Sequence, residues 1–403
     1  MVQFSNRANT LIGQEMFKIA DQATELESRG HRICHLELGA VCVPPPLRLI
    51  ESSLRMLKSG YHGYTLAGGL TALRQKIAEK FGCGELTAAN VAITPANFAI
   101  SQFLTIASDQ TTPVVLFSPA FPTYMAASAH LCSNVYVLPL NEKINWELTR
   151  EDVDHAVYCI NSKSPTRLRG CRGAIIVNSA NNPTGAVYPL AVMSYLIDKC
   201  EEHDIWLLID ETYERLRYVM ELPECYFIPR LQEKVVRIGS LSKLFGVPGY
   251  RVGYVIADSQ FIEKVVLSIS TSISCLSSFT QAGVLAALDE IDNHCMSLRV
   301  RYAPLMRQYA ALVNDSRVLR CDMPMAAYYL FLNIGSTGLN SVEFAKLALE
   351  DAYVAVTPGK AFGGVRWDQY VRLACGGSVD EVTEGIKRLI CFVRDHRRDG
   401  AIL

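Results

Sequence analysis

The segment Ser240–Gly253, which reads SLSKLFGVPGYRVG, contains one lysine among small or apolar residues. It follows the apolar run Val235–Gly239 and passes into a second apolar run that ends at Ile256, so we expect a loop between two buried strands. An amine that is partly removed from water has a lowered pKa and is more often in its nucleophilic neutral form. The small neighbours would also let a planar ring lie close to the backbone. Lys243 is therefore a candidate for covalent attachment to a carbonyl cofactor.

Three donors suited to a phosphate group accompany this lysine. Ser240 and Ser242 precede it in the segment, and Arg251 follows. Hydroxyl and guanidinium groups both bind phosphate oxygens well. A carbonyl cofactor that carries a phosphate would satisfy all of these side chains. Taken alone, a lysine near an arginine is more often an ordinary loop lysine, so the assignment depends on the rest of the chain.

From Ser240 to Gly253 the chain resembles, position by position, the lysine signature of fold type I pyridoxal phosphate enzymes of the class I/II aminotransferase family. The resemblance extends over about residues 30–390. It implies an aspartate aminotransferase-like fold and a Schiff base between Lys243 and pyridoxal 5′-phosphate. It also implies that the amino group of an L-α-amino acid is exchanged with a 2-oxo acid, while Lys243 moves the proton at the substrate α-carbon.

The length and charge of the chain exclude several classes of protein. Its 403 residues suffice for one large and one smaller domain, and 50% of them are hydrophobic, which allows a sizeable core. The formal net charge is -1 and no basic run is longer than residues 397–398, so nucleic acid is not an expected partner. No apolar run approaches the roughly 18 residues of a membrane helix, and residues 1–10 lack the apolar centre of a signal peptide. We expect no membrane association.

The 13 cysteines form no Cys-x-x-Cys pair. An odd number of scattered cysteines indicates reduced core residues, and it favours neither a disulfide framework nor a zinc site. This usage predicts a reducing compartment and no bound metal. We therefore expect a cytoplasmic protein.

Seven short apolar runs alternate with longer amphipathic segments in the first two thirds of the chain. They are Val91–Thr94, Val114–Ser118, Val135–Leu138, Ala174–Val177, Ile205–Ile209, Val235–Ile238 and Val252–Ile256. Continuous apolar runs of this length predict strands that are buried on both faces of a mostly parallel sheet. The fold class is therefore α/β, with a large domain built on a seven-stranded sheet flanked by helices. Polar residues just after each run are the candidate ligand-binding groups, because such sheets bind ligands beyond their carboxyl ends.

Beyond Arg251 the pattern changes, and from Arg317 onward extended and helical pieces alternate as in α+β structure. This resembles the smaller domain of the family, which also takes in the N-terminal segment. We expect residues 1–47 to join the small domain, residues 48–290 to form the large cofactor-binding domain, and residues 291–403 to form the small C-terminal domain.

A turn after the first apolar run opens a predicted helix. Its residues Ala96, Asn97 and Phe98 are expected to bind the cofactor phosphate through main-chain N–H groups. The family usually has glycine at the position of Ala96. Alanine is disfavoured at positive φ, so either the turn avoids that conformation or the phosphate is held a little differently.

Two further strand ends carry groups for the cofactor ring. Phe121 stands between prolines and matches the ring-stacking position of the family, although an ordinary core phenylalanine is the alternative. Asn182 belongs to the sequence NSANNPTG, and in the resembled family this amide bonds the phenolic oxygen of the cofactor and borders the substrate. Asn-Pro alone is a common turn signal.

Asp210 ends a wholly apolar run, where a carboxylate needs a cation or hydrogen-bond donors. The protonated ring nitrogen of the cofactor would provide the cation, and this pairing keeps the ring an electron acceptor. A helix cap is the alternative role for Asp210. Tyr213 matches the second donor of the family to the phenolic oxygen.

The resemblance also implies substrate contacts and a dimer. Arg372 lies among apolar residues and matches the arginine that binds the α-carboxylate of the substrate, with a structural salt bridge as the alternative. Gly39 matches a glycine that lies against the substrate, although the Pro-Asp that usually follows it is missing. Tyr64 matches a tyrosine that crosses a homodimer interface to the cofactor phosphate, with an aromatic residue in a packed turn as the alternative.

Other functions remain open at this point. The same fold serves pyridoxal phosphate-dependent lyases, synthases and oxidative or cyclising enzymes, because the pocket selects which bond breaks. Ala96 and Ala327 replace usual glycines, which keeps this alternative open. A regulatory domain that merely keeps the fold would be expected to have lost Lys243, Asp210 or Arg372, and all three are present.

Overall fold

The computed structural model describes residues 3–5, 8–82, 86–132, 134–163, 172–218 and 233–398. These residues contain thirteen α-helices and thirteen β-strands, besides short 3-10 turns. The helices are α1 (Glu15–Ser28), α2 (Leu47–Lys58), α3 (Thr71–Phe81), α4 (Ala96–Ala107), α5 (Pro122–Leu131), α6 (Arg150–Lys163), α7 (Leu190–Glu202), α8 (Leu241–Leu244), α9 (Ser259–Ser272), α10 (Ser278–Ala287), α11 (Ile291–Asp315), α12 (Ser341–Asp351) and α13 (Val379–Arg398). The strands are β1 (Cys34–His35), β2 (Val91–Ile93), β3 (Pro113–Ser118), β4 (Asn134–Pro139), β5 (Gly173–Asn178), β6 (Ile205–Asp210), β7 (Val235–Gly239), β8 (Tyr254–Ile256), β9 (Arg320–Cys321), β10 (Tyr329–Asn333), β11 (Val354–Ala355), β12 (Thr357–Pro358) and β13 (Tyr370–Ala374).

The seven predicted strands form one sheet in the order β2-β8-β7-β6-β5-β3-β4. Strands β7, β6, β5, β3 and β4 run parallel, while β8 is antiparallel to both of its neighbours. The prediction of a mostly parallel seven-stranded sheet flanked by helices is therefore confirmed.

Helices cover both faces of this sheet, which explains the continuous apolar runs. Successive residues of a strand point to opposite faces. Ile175 of β5 accordingly belongs to a core cluster that includes Leu196 of α7, whereas Ile176 belongs to one that includes Phe103 of α4. Because both neighbours are buried, the strand has no polar face.

A second, four-stranded antiparallel sheet of order β12-β13-β10-β9 lies in the last quarter of the chain. The N-terminal segment lies beside it in a separate two-stranded sheet, in which β1 pairs in parallel with β11. Leu36 then donates its N–H to the carbonyl of Ala355 and accepts the N–H of Ala374. These bonds hold the residues around Gly39 beside the strand that carries Arg372.

Membrane-spanning helices and metal-binding clusters were sought among the described residues. No helix among them is long and apolar enough to cross a membrane. In the same part of the chain, no group of three or more His, Cys, Asp or Glu side chains is arranged to hold a metal ion. The described cysteines are free thiols, and Cys83, Cys171 and Cys225 lie outside the described residues.

Candidate active site

The carboxyl ends of three neighbouring parallel strands meet at one edge of the large sheet. Strand β5 ends at Asn178, β6 ends at Asp210, and β7 leads directly into Ser240. Asn178 and Asp210 are register partners in adjacent strands. A cavity of about 450 Å³ opens beside them. This is the edge at which parallel α/β sheets bind ligands.

Most of the predicted site residues line this cavity. They are Gly39, Ala96, Asn97, Phe121, Asn182, Asp210, Tyr213, Ser240, Ser242, Lys243, Arg251 and Arg372. Phe98 and Tyr64 lie outside it. The N–H of Phe98 donates to the carbonyl of Pro95 at 2.9 Å, so the predicted use of that N–H for phosphate is not supported. Tyr64 is 80% exposed and does not line the cavity of its own chain.

Lys243 occupies the one-turn helix α8, where we had expected a loop. Ser240 occupies the N-cap position without a side-chain cap, and the Ser240 carbonyl accepts the N–H of Lys243 at 3.2 Å. The ammonium group of Lys243 donates to the carbonyl of Gly39. Burial, together with the positive charges of Arg372 and Arg251, lowers the pKa of Lys243 to about 8. The side chain is therefore an unusually ready nucleophile and proton acceptor.

The N-terminus of α4 forms one wall of the cavity. Ala96 is the first residue of this helix and is not among the residues with positive φ, so the turn avoids the conformation that alanine disfavours. Helix N-termini present unpaired N–H groups and a partial positive charge. The main chain of Ala96 and Asn97 is thus suited to an anion such as phosphate.

Arg251 completes this anion-binding corner. Its φ of 54° places it in the left-handed region, and its guanidinium donates to the Asn97 side-chain oxygen at 3.0 Å and to the carbonyl of Pro248 at 3.1 Å. Ser242 contributes differently from the prediction. Its hydroxyl donates to the carbonyl of Val252 at 3.0 Å and accepts the N–H of the same residue at 2.9 Å. Ser242 therefore ties α8 to the chain beyond Arg251, and its proton is already used.

Asp210 is buried at the end of β6 and receives two hydrogen bonds. Its Oδ2 accepts from the Tyr124 hydroxyl at 2.6 Å, and its Oδ1 accepts from the Thr212 N–H at 2.9 Å. Burial raises the pKa of Asp210 above its usual value, and no cation among the described residues opposes that effect. A buried carboxylate with two neutral donors and no cation fits the protonated nitrogen of a heteroaromatic ring.

Phe121 lies next to Tyr124, the residue that donates to Asp210. It is the residue before α5, and its ring meets the Tyr124 ring edge-on, with centroids 5.8 Å apart. It is half-buried at the cavity wall. An aromatic face in this place is suited to stacking on a planar cofactor.

Asn182 and Tyr213 also line the cavity. The N–H of Asn182 donates to the Asn178 side-chain oxygen at 2.9 Å, and its own amide oxygen accepts from Arg372 at 3.3 Å. The amide NH₂ of Asn182 is thus the end that remains to donate elsewhere. The Tyr213 hydroxyl lies 2.6 Å from the hydroxyl of Tyr329.

Arg372 is the central residue of β13 and is almost fully buried. Its Nη2 donates to the carbonyl of Glu37 and to the Thr357 hydroxyl, the latter at 3.1 Å. Its buried Nε has no hydrogen-bond partner among the described residues. Burial lowers its pKa below the usual value. A buried guanidinium with a spare donor fits the carboxylate of a substrate.

Three cavity residues were not anticipated as functional groups. Asn178 donates from its side chain to the carbonyl of Asp210 at 3.0 Å and so fixes the strand end, and Tyr124 holds the carboxylate itself. Tyr329 contacts Tyr213. Asn178 and Tyr124 each follow a buried apolar run, so closer inspection of strand ends would have found them. The partner of Tyr329 is 116 residues away in sequence, and no local signal indicates it.

This set of donors fits pyridoxal 5′-phosphate. The chain offers an amine of lowered pKa, a helix N-terminus with an arginine for a phosphate, and a buried carboxylate for a ring nitrogen. When bound, this cofactor supplies a carbonyl that condenses with amines and a protonated ring that accepts electrons from the substrate α-carbon. The chain's own residues orient the ring, hold the substrate and move the proton.

Comparisons with known proteins agree with this geometry. The family described as "Aminotransferase class I and II" matches residues 33–389. The aspartate aminotransferase of Bacillus subtilis is 29% identical, with 98% of this chain and all of the relative covered. The (5-formylfuran-3-yl)methyl phosphate transaminase of Methanocaldococcus jannaschii is 26% identical, with 95% of this chain and 98% of the relative covered.

Solved structures show the same similarity. The aspartate aminotransferase from Thermus thermophilus with maleate has a TM-score of 0.85 and 25% identity, covering 97% of this chain and all of that one. The aromatic aminotransferase from Pyrococcus horikoshii has a TM-score of 0.81 and 26% identity, covering 94% of this chain and 99% of that one. The chain therefore belongs to the class I and II aminotransferases and is a pyridoxal 5′-phosphate-dependent enzyme that exchanges amino groups between amino acids and 2-oxo acids.

Proposed function

We propose that this aminotransferase attaches its cofactor at Lys243, pairs the ring nitrogen with Asp210 and binds the substrate α-carboxylate at Arg372. The observation that carries this proposal is that all three side chains line one cavity. Asn182 and Tyr213 bond the phenolic oxygen in this proposal, and Phe121 stacks on the ring. The phosphate lies at the N-terminus of α4 beside Arg251 and Ser240.

The proton step of the reaction falls to Lys243 in this proposal. A lysine with a pKa of about 8 is partly neutral near neutral pH, so its Nζ can take the proton from the substrate α-carbon. Burial keeps this pKa low, and the nearby guanidinium groups of Arg372 and Arg251 add to the effect by repelling the ammonium form. The relatives named above are transaminases, and nothing in the structure favours a lyase, a synthase or a cyclising enzyme.

A substrate experiment without any 2-oxo acid tests the reaction. The holoprotein is mixed with single amino acids, and the cofactor absorbance is followed while products are identified by mass. Conversion of the cofactor to its amino form, with one 2-oxo acid released per site, supports transamination. Continued turnover with the cofactor spectrum unchanged contradicts it and points to the lyase or cyclase class.

We also propose that the substrate side chain is apolar or aromatic. Among the described residues that line the cavity, the cations are Lys243, Arg251 and Arg372, and each already has a role in the proposal. Further wall residues include Met16 and Phe17 of α1. A second substrate carboxylate, as in aspartate, would face this apolar wall without a cation of the same chain, which is costly.

The side-chain proposal predicts that leucine or phenylalanine converts the cofactor with at least about tenfold higher kcat/KM than aspartate, the equivalent of one lost charge-assisted bond. Phe17→Arg adds a cation at the wall and should lower the ratio of kcat/KM for leucine or phenylalanine to kcat/KM for aspartate. Leu11→Arg is the matched control, since Leu11 is also exposed but does not line the cavity. Aspartate as the best substrate of the unaltered enzyme would contradict the side-chain proposal and leave the aminotransferase assignment intact.

We propose that the active form is a homodimer. Helix α2 exposes an apolar stripe at helical spacing, formed by Leu47, Ile50, Leu54 and Leu57. The exposed Tyr64 follows α2 in the chain. Exposed apolar stripes of this kind are typical of interfaces, and a second copy brings the same stripe by two-fold symmetry. In this arrangement Tyr64 of the partner subunit reaches the cofactor phosphate.

Light scattering tests the dimer independently of activity. Leu54→Asp places a charge in the stripe and should halve the mass in solution, whereas Val300→Asp changes another exposed apolar residue, on α11, and should not. A monomeric unaltered protein would contradict the proposal.

The division into domains and the cellular location are also proposals. Pairing of β1 with β11 supports assigning residues 1–47 to the small domain, together with residues 291–403, while residues 48–290 form the large domain. Limited proteolysis near residues 47 and 290 tests these boundaries.

The scattered cysteines support a cytoplasmic location, which fractionation of the source cells tests.

A further inference from the structure

Tyr329 is a buried tyrosine at the start of β10 that none of the roles above uses. It lines the cavity, and its hydroxyl lies 2.6 Å from the Tyr213 hydroxyl. The two rings are nearly perpendicular, at 88°, with centroids 5.4 Å apart. Tyr329 therefore contacts Tyr213 through its polar end and packs against it through its ring.

The ring of Tyr329 also contacts Arg372. The guanidinium carbon lies 4.8 Å from the ring centroid, which is within the range of a cation–π interaction. Strands β10 and β13 are hydrogen-bonded neighbours, so this contact is set by the sheet. Tyr329 thus bridges the proposed carboxylate-binding residue and the proposed donor to the phenolic oxygen.

Gly39 leaves the Tyr329 hydroxyl little freedom to move. A Cβ atom at Gly39 would lie 2.1 Å from the Tyr329 hydroxyl oxygen and 3.0 Å from the ring carbon that carries it. The Tyr329 hydroxyl therefore occupies the space that a side chain at position 39 would fill. The same glycine accepts the hydrogen bond of Lys243 through its carbonyl. The position of Tyr329 is fixed on one side by this backbone and on the other by Tyr213.

The hydrogen bond between the two hydroxyls uses one of their two protons. Burial raises the pKa of both Tyr213 and Tyr329, so both carry their protons at neutral pH. The positive charge of Arg372 acts against this rise at both residues. Its guanidinium lies over the Tyr329 ring, 4.8 Å from the centroid, which makes the Tyr329 hydroxyl the better donor. The other titratable group that acts on the pair is Tyr328, which precedes β10. When Tyr329 donates, the Tyr213 proton remains for a third group.

We propose that Tyr329 is a positioning residue that donates its hydrogen bond to Tyr213 and thereby directs the Tyr213 proton toward the phenolic oxygen of the cofactor. This inference rests on the proposed role of Tyr213. Hydrogen bonds in a chain strengthen one another, so the Tyr213 bond to the cofactor is stronger when Tyr329 donates. Through its ring contact, Tyr329 also links that bond to the residue that binds the substrate carboxylate.

A spectroscopic titration of the holoprotein without substrate tests this inference. A donor to the phenolic oxygen favours the more negative form of the bound cofactor and so lowers the pKa of its visible absorbance. Tyr329→Phe weakens that donor, and we expect this pKa to rise by about half a unit to one unit. The phenylalanine ring still packs on Arg372, so KM for the amino acid should stay within about twofold.

Three further variants separate this role from a merely structural one. Tyr309→Phe removes the same atom from a buried tyrosine that does not line the cavity, and should leave the absorbance pKa unchanged. Tyr213→Phe should raise that pKa at least as far as Tyr329→Phe does. In the Tyr213→Phe background, Tyr329→Phe should then add no further shift, because the relay is already broken.

Two outcomes would overturn the inference. One is an unchanged absorbance pKa in Tyr329→Phe, and the other is an equal shift in Tyr309→Phe. An unaltered protein that forms no visible chromophore with pyridoxal 5′-phosphate would instead contradict the proposed attachment at Lys243. The two failures are distinguishable, because the first leaves a chromophore whose pKa can be measured and the second leaves no chromophore.

Discussion

The carboxylate of Asp210 accepts a hydrogen bond from the Tyr124 hydroxyl at 2.6 Å, and both groups are withdrawn from water. Tyr124 comes from α5 and Asp210 from the end of β6, so the contact joins a helix to the sheet edge. Burial and the charge of Glu211 raise the pKa of Asp210, and the tyrosine proton acts in the opposite direction by favouring the ionised form. Tyr124 therefore helps to keep the negative charge that a protonated ring nitrogen requires.

Removal of this donor should change how cofactor affinity depends on pH. In Tyr124→Phe the pKa of Asp210 in the apoprotein rises further, so the carboxylate becomes neutral at a higher pH than in the unaltered protein. We expect the pH below which pyridoxal 5′-phosphate affinity falls to increase by about one unit, the effect of one hydrogen bond to a charged group. Equilibrium dialysis across pH measures it. Tyr309→Phe, a buried tyrosine outside the cavity, is the control and should leave the profile in place.

Lys243 should carry the cofactor covalently. Borohydride reduction of the holoprotein is expected to leave the cofactor on the peptide that contains Lys243, and Lys243→Ala should not be labelled there. Because the pKa of Lys243 is about 8, the rate of attachment to the apoprotein should rise with pH and reach half of its maximum near that value. Arg251→Gln removes a positive charge that lowers this pKa, so its midpoint should lie at higher pH. Label on a different lysine would disprove the assignment.

Arg372 should select substrates by their α-carboxylate. Arg372→Ala is expected to raise KM for amino acids by about 100-fold, because bonds between charged groups contribute about 1.5–3 kcal/mol. Amines that lack a carboxylate should be affected little. Asn182→Ala offers a comparison, since it removes a contact of Arg372 without removing the guanidinium. An equal loss for both substrate classes in Arg372→Ala would argue against a carboxylate role.

Tyr64 should act across the proposed dimer interface. A mixed dimer of Lys243→Ala and Tyr64→Phe chains contains one site with both defects and one site with neither. Each parental homodimer contains two impaired sites. We expect subunit exchange to restore activity above the sum of the parents, provided that Tyr64→Phe alone is clearly impaired. If exchange is demonstrated by mass and no activity returns, Tyr64 does not serve the site of its partner.

Gly39→Ala should reproduce part of the effect of Tyr329→Phe. The added methyl group would overlap the Tyr329 hydroxyl, so that hydroxyl must leave its contact with Tyr213. We expect the pKa of the cofactor absorbance to rise in Gly39→Ala, as in Tyr329→Phe. The double variant should shift no further than Tyr329→Phe alone, because the displaced atom is absent. Fully additive shifts would show that Gly39 acts by another route, for example through its carbonyl bond to Lys243.

The fold was predictable because buried parallel strands have an unambiguous pattern. Each apolar run became a strand of one sheet, and strand ends such as Asp210 lie at the ligand-binding edge by geometry alone. The order of the strands was not predicted, since no local residue indicates that β2 pairs with β8.

Within the site, long-range contacts were the unpredictable part. The sequence indicates that Ser242 carries a donor, but only the structure shows that Val252 already receives its proton. Phe98 differs, because its N–H donates to the carbonyl of Pro95, a local contact in the first turn of α4. The wall formed by Met16 and Phe17 also depends on how α1 packs, which its own periodicity does not reveal.

The hydrogen bond from Arg372 to the carbonyl of Glu37 joins residues that are 335 positions apart in the chain. During synthesis, the groups proposed to hold the cofactor, from Ala96 to Arg251, leave the ribosome well before Arg372 does. A nascent chain can therefore assemble the part of the site that binds the cofactor before Arg372, which is proposed to bind the amino acid, has been made, since domains fold as their segments emerge. The capacity to bind an amino acid thus arises last, when the final strands of the chain close upon its beginning.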